Sequence, residues 1–343
     1  MALIARDRVV SRRPPARKGM DGAGFLANVR AGEAVGGHGM ASEASGAAGR
    51  PARVGGEGRA LPVLCVVAAT LVLWYAFAVV LNAPWARDQA GREGRVLGAR
   101  ELVLDTMQQD RPRLPAPHQV VAELWKTTVA VPVGSKRSLV YHAWVTLAAT
   151  LAGFGLGAGL GIVLATLIVH VRSIDTSVMP WVISSQTVPI LAIAPMIVVV
   201  LNSVGVTGLL PKAIISMYLS FFPVAVGMVQ GLRSPERMLL DQMRTWNASR
   251  WQTFVRLRWP SALPWLFASL KVAVAASLVG AIIGELPTGA VAGLGARMLS
   301  GSYYGQTVQI WAALVMASIC AAGLVGLVAL AERLTFAAMG GRR

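Results

Sequence analysis

The stretch from residue 234 to residue 260 reads SPERMLLDQMRTWNASRWQTFVRLRWP and separates two long apolar runs. It is charged and rich in tryptophan, and each of its halves is too short to cross a bilayer. A membrane protein that folds such a stretch presents it to something outside the bilayer. We call residues 234–260 the amphipathic insert.

Local chemistry predicts that the insert forms two short helices joined by a turn. Ser234 is expected to be the N-cap of the first helix, with Pro235 at its first position. Asn247 is expected to end that helix in the left-handed conformation that asparagine tolerates. Ser249 and Gln252 have the spacing of a capping box, which starts the second helix.

Each arm of the insert has an apolar face at helical spacing. These faces are formed by Leu239, Met243 and Trp246 on the first arm and by Trp251, Phe254 and Val255 on the second. Pro260 and Pro264 are expected to end the insert and open the next apolar run.

Composition indicates that the chain is a membrane protein. It is 55% hydrophobic and 14% charged with a mean hydropathy of +0.58, whereas a soluble domain has about 25% charged residues. Its apolar segments are long enough to cross a hydrocarbon core of about 30 Å, which needs roughly 20 residues. The predicted spans are Leu61–Asn82, His142–Val171, Pro180–Leu201, Leu209–Gln230, Ala262–Ile283 and Val308–Leu330. The third is the weakest because Pro189 and Pro195 interrupt it.

The net charge of +16 is distributed like that of a membrane protein, so we predict no nucleic-acid partner. Arginine and lysine concentrate before residue 61, in the insert and at the end of the chain. With a cytoplasmic N-terminus and six spans, all three regions lie inside, as the positive-inside rule requires. The first 60 residues are rich in Gly, Ala and Arg without apolar periodicity, which is typical of a disordered tail.

Two polar features within the apolar runs are candidate functional sites. Ser184, Ser185, Gln186 and Thr187 precede Pro189 in the broken third span. Backbone freed by proline at membrane depth needs protein or a water-filled path beside it, so these side chains either line a translocation path or bond to neighbouring helices. Glu285, at the end of the fifth span, is either solvated at the interface or paired at a gate.

Glycine spacing in the second span predicts close helix packing. Gly153, Gly157 and Gly161 are four residues apart and share one helical face. Lys271, in the fifth span, is expected to extend its side chain toward the cytoplasmic interface.

The chain carries no recognisable catalytic equipment. Cys65 and Cys320 lie in apolar spans, and the histidines have no metal-ligand spacing, so no metal site is predicted. Motifs for phosphate binding, zinc proteolysis or a nucleophilic serine are missing from the sequence. A membrane-embedded enzyme is therefore disfavoured.

The insert resembles the coupling loop of permease subunits of binding-protein-dependent ABC importers. That family's pattern is Glu-Ala-Ala, three residues, Gly, nine residues, then Ile-x-Leu-Pro. Here Asp241-Gln-Met243 is followed at the same spacing by Asn247 and by Leu257-Arg-Trp-Pro260. The spacing is intact, whereas Gln242, Met243, Asn247 and Trp259 differ from the pattern.

Surrounding motifs narrow the resemblance to nitrate-, sulfonate- and taurine-type permeases, a group that includes carriers of pyrimidine precursors. The motifs are Leu114-Pro-Ala-Pro117, Thr146-Leu147, Ser249-Arg-Trp-Gln252, Pro260-Ser-Ala-Leu-Pro264, Glu285 and Gly293-Leu-Gly295. Together they cover the chain from about residue 114 to about residue 335.

The resemblance implies an all-α polytopic protein with six transmembrane helices and a cytoplasmic coupling loop between spans four and five. The domains are then a disordered basic cytoplasmic tail (1–60), a first transmembrane helix (61–83), an exterior segment with a short amphipathic helix (84–137), the permease domain (138–335) and a cytoplasmic tail (336–343). The protein is expected in the inner membrane with both termini cytoplasmic.

Function follows from the same resemblance. It implies an importer of a small polar or anionic solute, with a partner ABC ATPase that uses the ATP, an extracytoplasmic solute-binding protein and a permease homodimer in membrane lipid. No cofactor binds this chain and no residue is catalytic. The predicted coupling residues are Asp241, Met243, Trp246, Asn247, Ser249, Trp251, Phe254, Leu257 and Pro260. The predicted path residues are Ser184, Ser185, Gln186, Thr187 and Glu285. The alternative is a stand-alone channel or scaffold without ATPase coupling.

Overall fold

The computed structural model describes residues 57–95, 97–287 and 292–340. The chain divides into two units, residues 1–61 and 62–343. Within the first unit only the opening of one helix is described, so the prediction of a disordered tail concerns mainly residues outside the description. Throughout the described ranges the regular structure is helical, without strands. The prediction of an all-α fold is confirmed.

The first half of the described chain forms six α-helices. They are α1 (Glu57–Arg92), α2 (Ala99–Gln108), α3 (Pro117–Trp125), α4 (Leu139–His170), α5 (Arg172–Ser184) and α6 (Ile190–Ser203). A π-helical turn, Lys126–Ala130, extends α3, and a 3₁₀ turn, Ser185–Thr187, follows α5.

The second half forms six more. They are α7 (Leu209–Arg233), α8 (Arg237–Thr245), α9 (Arg250–Thr253), α10 (Trp259–Glu285), α11 (Leu294–Tyr303) and α12 (Thr307–Ala338). A π-helical turn, Phe254–Arg258, joins α9 to α10.

Five helical segments in the described chain are long and apolar enough to cross a membrane: α1, α4, α7, α9 with α10, and α12. The pair α5 and α6 makes a sixth if it is counted as one span, but its two helices meet at an angle of 101°. Each of the six predicted spans therefore corresponds to one of these five segments or to the bent pair.

Proline explains part of the bend between α5 and α6. Pro189 is the N-cap of α6, a position where a missing N–H costs little, and it ends the preceding 3₁₀ turn. Pro195 was expected to interrupt the span as well, but it lies inside α6 without ending it. The polypeptide thus breaks once, not twice.

Two predicted helix ends were too early. Helix α1 passes the expected end at residue 83 and continues to Arg92, so its 36 residues span about 54 Å. It ends where Gly94 adopts a φ of 68°, a conformation that glycine takes without strain. Helix α12 likewise passes Leu330, the expected end of the sixth span, and ends at Ala338.

Helices α4, α7 and α10 pack together as the core of the protein. The α4 face with Gly153, Gly157 and Gly161 lies against α7, where an added Cβ would overlap the side chains of Ser216 and Ser220 or the backbone at Phe221. The prediction of close packing at these glycines is confirmed. Gly155, on another face of α4, has open space beside it.

Small residues also bring α7 and α10 together. Gly227 and Gly231 of α7 lie against Ser269 and Ala262 of α10, and Gly280 of α10 lies against the α7 backbone. Around these contacts the buried core residues are Ala165, Ile168, Val224, Met228, Val229, Leu232, Ala262, Leu263, Leu266, Phe267 and Ala273.

Asn82 fastens the segment between α2 and α3 to α1. It is 1% exposed, its amide donates to the Leu114 carbonyl at 2.8 Å, and its carbonyl accepts from the Arg113 and Leu114 backbone N–H groups. Trp74 Nε1 adds a bond to the Pro115 carbonyl at 3.1 Å. Helix α3, which follows, is the short amphipathic helix predicted from residues 114–126.

Candidate functional site

The first arm of the insert begins two residues later than predicted. Its N-cap is Glu236, with extended backbone, and Ser234 instead donates from Oγ to the Gly231 carbonyl at 2.7 Å. The hydroxyl of Ser234 therefore adds a second bond to a carbonyl at the end of α7 that already accepts from the Ser234 backbone N–H, and Pro235 lies between the two helices.

The turn of the insert forms as predicted. Asn247 has a φ of 53°, the left-handed conformation, and its backbone N–H bonds to the Arg244 carbonyl at 2.9 Å. Ser249 Oγ accepts from the Gln252 N–H at 3.2 Å, and Gln252 Oε1 accepts from the Ser249 N–H at 2.9 Å. This capping box orients the second arm independently of any partner.

The second arm does not end before the next span. Helix α9, the π turn and α10 form one helical segment of 36 residues, Arg250–Glu285, so the prediction that Pro260 and Pro264 separate insert and span is wrong. Pro260 lies in the first turn of α10, where its missing N–H is tolerated. The wider π turn just before it accommodates the ring, which an unmodified α-helix would push against a carbonyl.

Three large apolar side chains of the insert project away from the protein. Met238 is 73% exposed, Trp246 67% and Trp251 71%. Phe254 differs, because it packs against the core beneath the insert and contacts the rings of Trp251, Trp259 and His170.

The remaining predicted coupling residues lie around these side chains. Asp241 is exposed and pairs with Arg244 at 2.9 Å. Met243, Leu257 and Pro260 are partly buried. The insert is therefore a self-capped structure whose outer face is apolar and aromatic.

The predicted path residues of the third span lie at the corner between α5 and α6. Ser185 Oγ donates to the Val182 carbonyl and Thr187 Oγ1 to the Ser184 carbonyl, each at 2.7 Å. Tyr218 Oη of α7 donates to the Ser185 carbonyl at 2.5 Å. Two of the hydroxyl groups thus satisfy backbone freed at the break, and Ser184 and Gln186 are exposed.

Glu285, the fifth predicted path residue, is fully buried at the end of α10 opposite the insert. Its carboxylate accepts from Thr146 Oγ1 at 2.9 and 3.0 Å and from the Gly295 N–H at 2.8 Å. Lys212 Nζ lies 3.8 Å away and donates to the Ala292 carbonyl at 3.2 Å. Of the two expected environments, solvated or paired, the structure has the paired one.

Close backbone approach completes this arrangement, which we call the Glu285 cluster. A Cβ at Gly293, whose φ is 129°, would overlap the Glu285 carboxylate, so only glycine fits there. The Gly293 N–H donates to His142 Nδ1 at 3.0 Å, while His142 Nε2 lies 2.9 Å from the Lys136 carbonyl. His142 therefore accepts at one ring nitrogen and donates at the other, as a neutral imidazole does.

Sequence reasoning did not find the partners of Glu285. Lys212 and Thr146 lie on α7 and α4, far from Glu285 along the chain, and their association depends on helix packing. A charge within an apolar span was the available signal for Lys212.

Sequence reasoning also missed a second ion pair, which lies nearer the insert. Lys271 Nζ and Glu332 Oε2 are 2.5 Å apart and join α10 to α12. Lys271 therefore pairs within the protein, whereas the sequence predicted that it reaches the interface.

The predicted site residues occupy three separate places. The insert, the corner between α5 and α6, and the Glu285 cluster share no hydrogen bond within the described ranges. Near the Glu285 cluster a cavity of about 520 Å³ opens between α4, the α6–α7 turn and α7.

Comparison with known proteins identifies the family to which this arrangement of helices belongs. Residues 157–336 match the family described as binding-protein-dependent transport system inner membrane component. The chain belongs to this family. It is therefore a permease component of an ABC transporter and a multi-pass membrane protein, and the stand-alone channel alternative has no support.

Curated relatives include permeases for several small solutes. The riboflavin transport system permease protein RibX of Chloroflexus aurantiacus is 30% identical over 64% of this chain and 78% of its own. The formylaminopyrimidine transport permease protein ThiX of Halalkalibacterium halodurans is 33% identical over 53% and 68%. The putative aliphatic sulfonates transport permease protein SsuC of Bacillus subtilis is 24% identical over 52% and 63%.

In permeases of this family ATP hydrolysis belongs to a separate subunit. The chain's role is therefore to form the membrane part of the transporter, and it requires an ATPase partner.

Proposed function

We propose that this permease imports a small polar solute across the cytoplasmic membrane and that the amphipathic insert is its contact with the ABC ATPase. The carrying observation is the exposed apolar face formed by Met238, Trp246 and Trp251 on a self-capped insert. Aromatic side chains dominate the energy of protein interfaces, and an insert that is already folded loses little entropy when it binds.

Charge distribution supports the orientation. With α5 and α6 counted as one span, the arginine-rich insert and the end of α12 lie on one side of the membrane. The positive-inside rule makes that side the cytoplasm, where ATP is available. The Glu285 cluster and the cavity beside it are then at the exterior end, where a solute-binding protein delivers its cargo.

Transport follows from how the insert is joined to the spans. Helix α7 ends beside the insert, and the second arm continues without a break into α10. Nucleotide-driven movement of the ATPase therefore displaces α10 directly and alternates access to the path. Such coupling requires that the ATPase bind the two permease conformations with different affinity. ATP is used by the partner, and this chain binds no cofactor.

The transported solute is a small polar molecule. The relatives named for riboflavin, formylaminopyrimidine and sulfonates support a small solute of heterocyclic or anionic character. We further propose that two copies of the permease assemble in membrane lipid with the path between them. The exposed apolar residues on the long helices are then covered by lipid and by the second copy.

Affinity purification of the tagged full-length permease in mild detergent tests the coupling contact. Replacing Trp246 and Trp251 with Ala removes two exposed anchors, each worth about 2 kcal/mol or more, so recovery of the ATPase should fall sharply. The matched control is Trp144→Ala, because Trp144 is 70% exposed but lies on α4, away from the insert.

Both variants should reach the membrane at the wild-type level, since neither removes a buried side chain. Equal ATPase recovery from the wild type and from the Trp246→Ala/Trp251→Ala variant contradicts a contact through the insert. If the Trp144→Ala control loses as much ATPase recovery, the contact is not specific to the insert.

A further inference from the structure

The cavity at the exterior end has the size of a small-molecule site. Its volume of about 520 Å³ lies in the range of about 300–1,000 Å³ that is usual for ligand pockets. Val145 and Ala149 of α4 and Leu209 and Pro211 at the start of α7 give it an apolar wall. Such walls suit the flat faces of a ring system better than a fully hydrated ion.

Neutral polar groups are distributed around this apolar wall. They are the side chains of Tyr141, Asn202 and Thr207. Tyr141 is partly buried and Asn202 and Thr207 are exposed, and none of the three has a side-chain hydrogen bond to another described residue, so their donors and acceptors remain available to a ligand. An amide and two hydroxyl groups offer both donors and acceptors, which matches a ligand that carries both.

Charge at the cavity is balanced within the protein. Lys212 is the one charged side chain among the described lining residues, and it is engaged by Glu285 and by the Ala292 carbonyl. Binding an anion at Lys212 would draw the ammonium group away from a fully buried carboxylate. That separation is strongly unfavourable, so the pair acts as a neutral wall.

We infer that this cavity is a solute site for a neutral, planar heterocycle with amide-type hydrogen-bonding edges, and that it disfavours sulfonates and other simple anions. The inference rests on the proposed importer function and specifies its substrate class. The Glu285–Lys212 pair sets the preference by cancelling the one positive charge that an anion would need.

Direct binding to the full-length permease in lipid nanodiscs tests this assignment. The probes are uracil, lumazine and lumichrome, which are neutral heterocycles of one, two and three rings, and ethanesulfonate as the anion. Isothermal titration calorimetry should show binding of at least one heterocycle and no measurable binding of ethanesulfonate. The assignment is overturned if ethanesulfonate binds as tightly as the best heterocycle. It is also overturned if none of the three heterocycles binds.

Two variants locate the site. Leu209→Trp fills the cavity from a wall residue that is 47% exposed, so folding should be retained while heterocycle binding is lost. Asn202→Leu removes the amide and should weaken binding up to about tenfold, as loss of one hydrogen bond does. Unchanged affinity in both variants overturns the location.

Glu285→Gln tests the charge argument. Removing the carboxylate charge leaves the Lys212 ammonium available to an anion, so ethanesulfonate binding should appear, with a gain of at least about tenfold. Double replacement Lys212→Met/Glu285→Gln removes both charges and should abolish that gain. Heterocycle selectivity that is the same in all three proteins contradicts a role of the pair.

Failure of this inference is distinguishable from failure of the proposed function. ATPase recovery by the wild-type permease reports the importer assignment and does not involve the cavity. Recovery of the ATPase without heterocycle binding overturns the solute site alone, whereas loss of ATPase recovery from wild type refutes the proposed coupling.

Discussion

The two ends of the α9–α10 segment differ in what they expose and what they bury. At the insert end Met238, Trp246 and Trp251 are more than two-thirds exposed, and the polar groups that matter are backbone caps. At the other end Glu285 is fully buried and its carboxylate is bonded from α4, α7 and the start of α11. The insert end exposes apolar side chains, whereas the polar groups at the Glu285 end are bonded within the chain.

This difference teaches where mutations should affect assembly and where they should affect folding. Truncating an exposed side chain of the insert leaves the protein's own core unchanged and, on the proposed coupling, removes contacts with the ATPase. Removing one group of the Glu285 cluster leaves the others buried, so the cost falls on the permease itself.

The largest expected effect is that of Lys212→Met. Separating the buried carboxylate from its cation should lower the free energy of unfolding by about 3–5 kcal/mol. Thermal unfolding of the purified protein in nanodiscs measures it, and Lys136→Met, at an exposed lysine, is the control. The double variant Lys212→Met/Glu285→Gln should recover most of the loss. If the Lys212→Met protein is as stable as wild type, the Glu285 cluster does not stabilise the fold and the contrast with the insert end fails.

A smaller loss is expected from Gly157→Leu. The larger side chain would enter the interface between α4 and α7, where Ser220 and the Met217 carbonyl leave no room, at a cost of about 1–3 kcal/mol or more. Gly155→Leu is the matched control, because nothing lies within 4 Å of a Cβ at that position. The same unfolding assay applies. Equal stability of the two variants would show that α4 does not pack closely on α7.

Ser249→Ala should act only on the insert. Loss of the N-cap bond to the Gln252 N–H costs about 1 kcal/mol, so amide hydrogen exchange of the second arm should accelerate about fivefold. Thr245→Ala, which removes a hydroxyl bonded within the first arm, is the control. Global unfolding should not change. Faster exchange at the Glu285 end would contradict the independence of the two ends.

Asn247→Gly should have the smallest effect. Its φ of 53° suits glycine, the residue of the resembled family pattern, so ATPase recovery should stay within about twofold of wild type. Asn247→Val, whose branched side chain resists this conformation by about 1–2 kcal/mol, should lower recovery. Equal recovery with Gly and Val would mean that the turn does not position the arms.

Features set by local chemistry were predictable from the sequence. The places of the spans follow from hydropathy, and the turn at Asn247 and the capping box at Ser249 depend on neighbours within five residues. The packing face of Gly153, Gly157 and Gly161 follows from helical spacing alone. The functional roles of the coupling and path residues stay predictions.

Other features depend on the surroundings and were missed. Ser234 has the chemistry of an N-cap, but the end of α7 is closer and takes its hydroxyl. Pro260 is an ordinary stop signal, yet a π turn lets the helix continue. The partners of Glu285 come from α4 and α7, and no local pattern connects residues so distant in sequence.

The length of the unbroken segment from Arg250 to Glu285 also determines how far its tip moves when the segment tilts. Its 36 residues make a rod of about 54 Å, longer than the hydrocarbon core. A rod of that length pivoted at the insert and tilted by about 10° displaces its far tip by about 9 Å, close to the diameter of a helix. On the proposed coupling, a small rotation of the insert by the ATPase would therefore move the exterior end of α10 far enough to open a path for a solute.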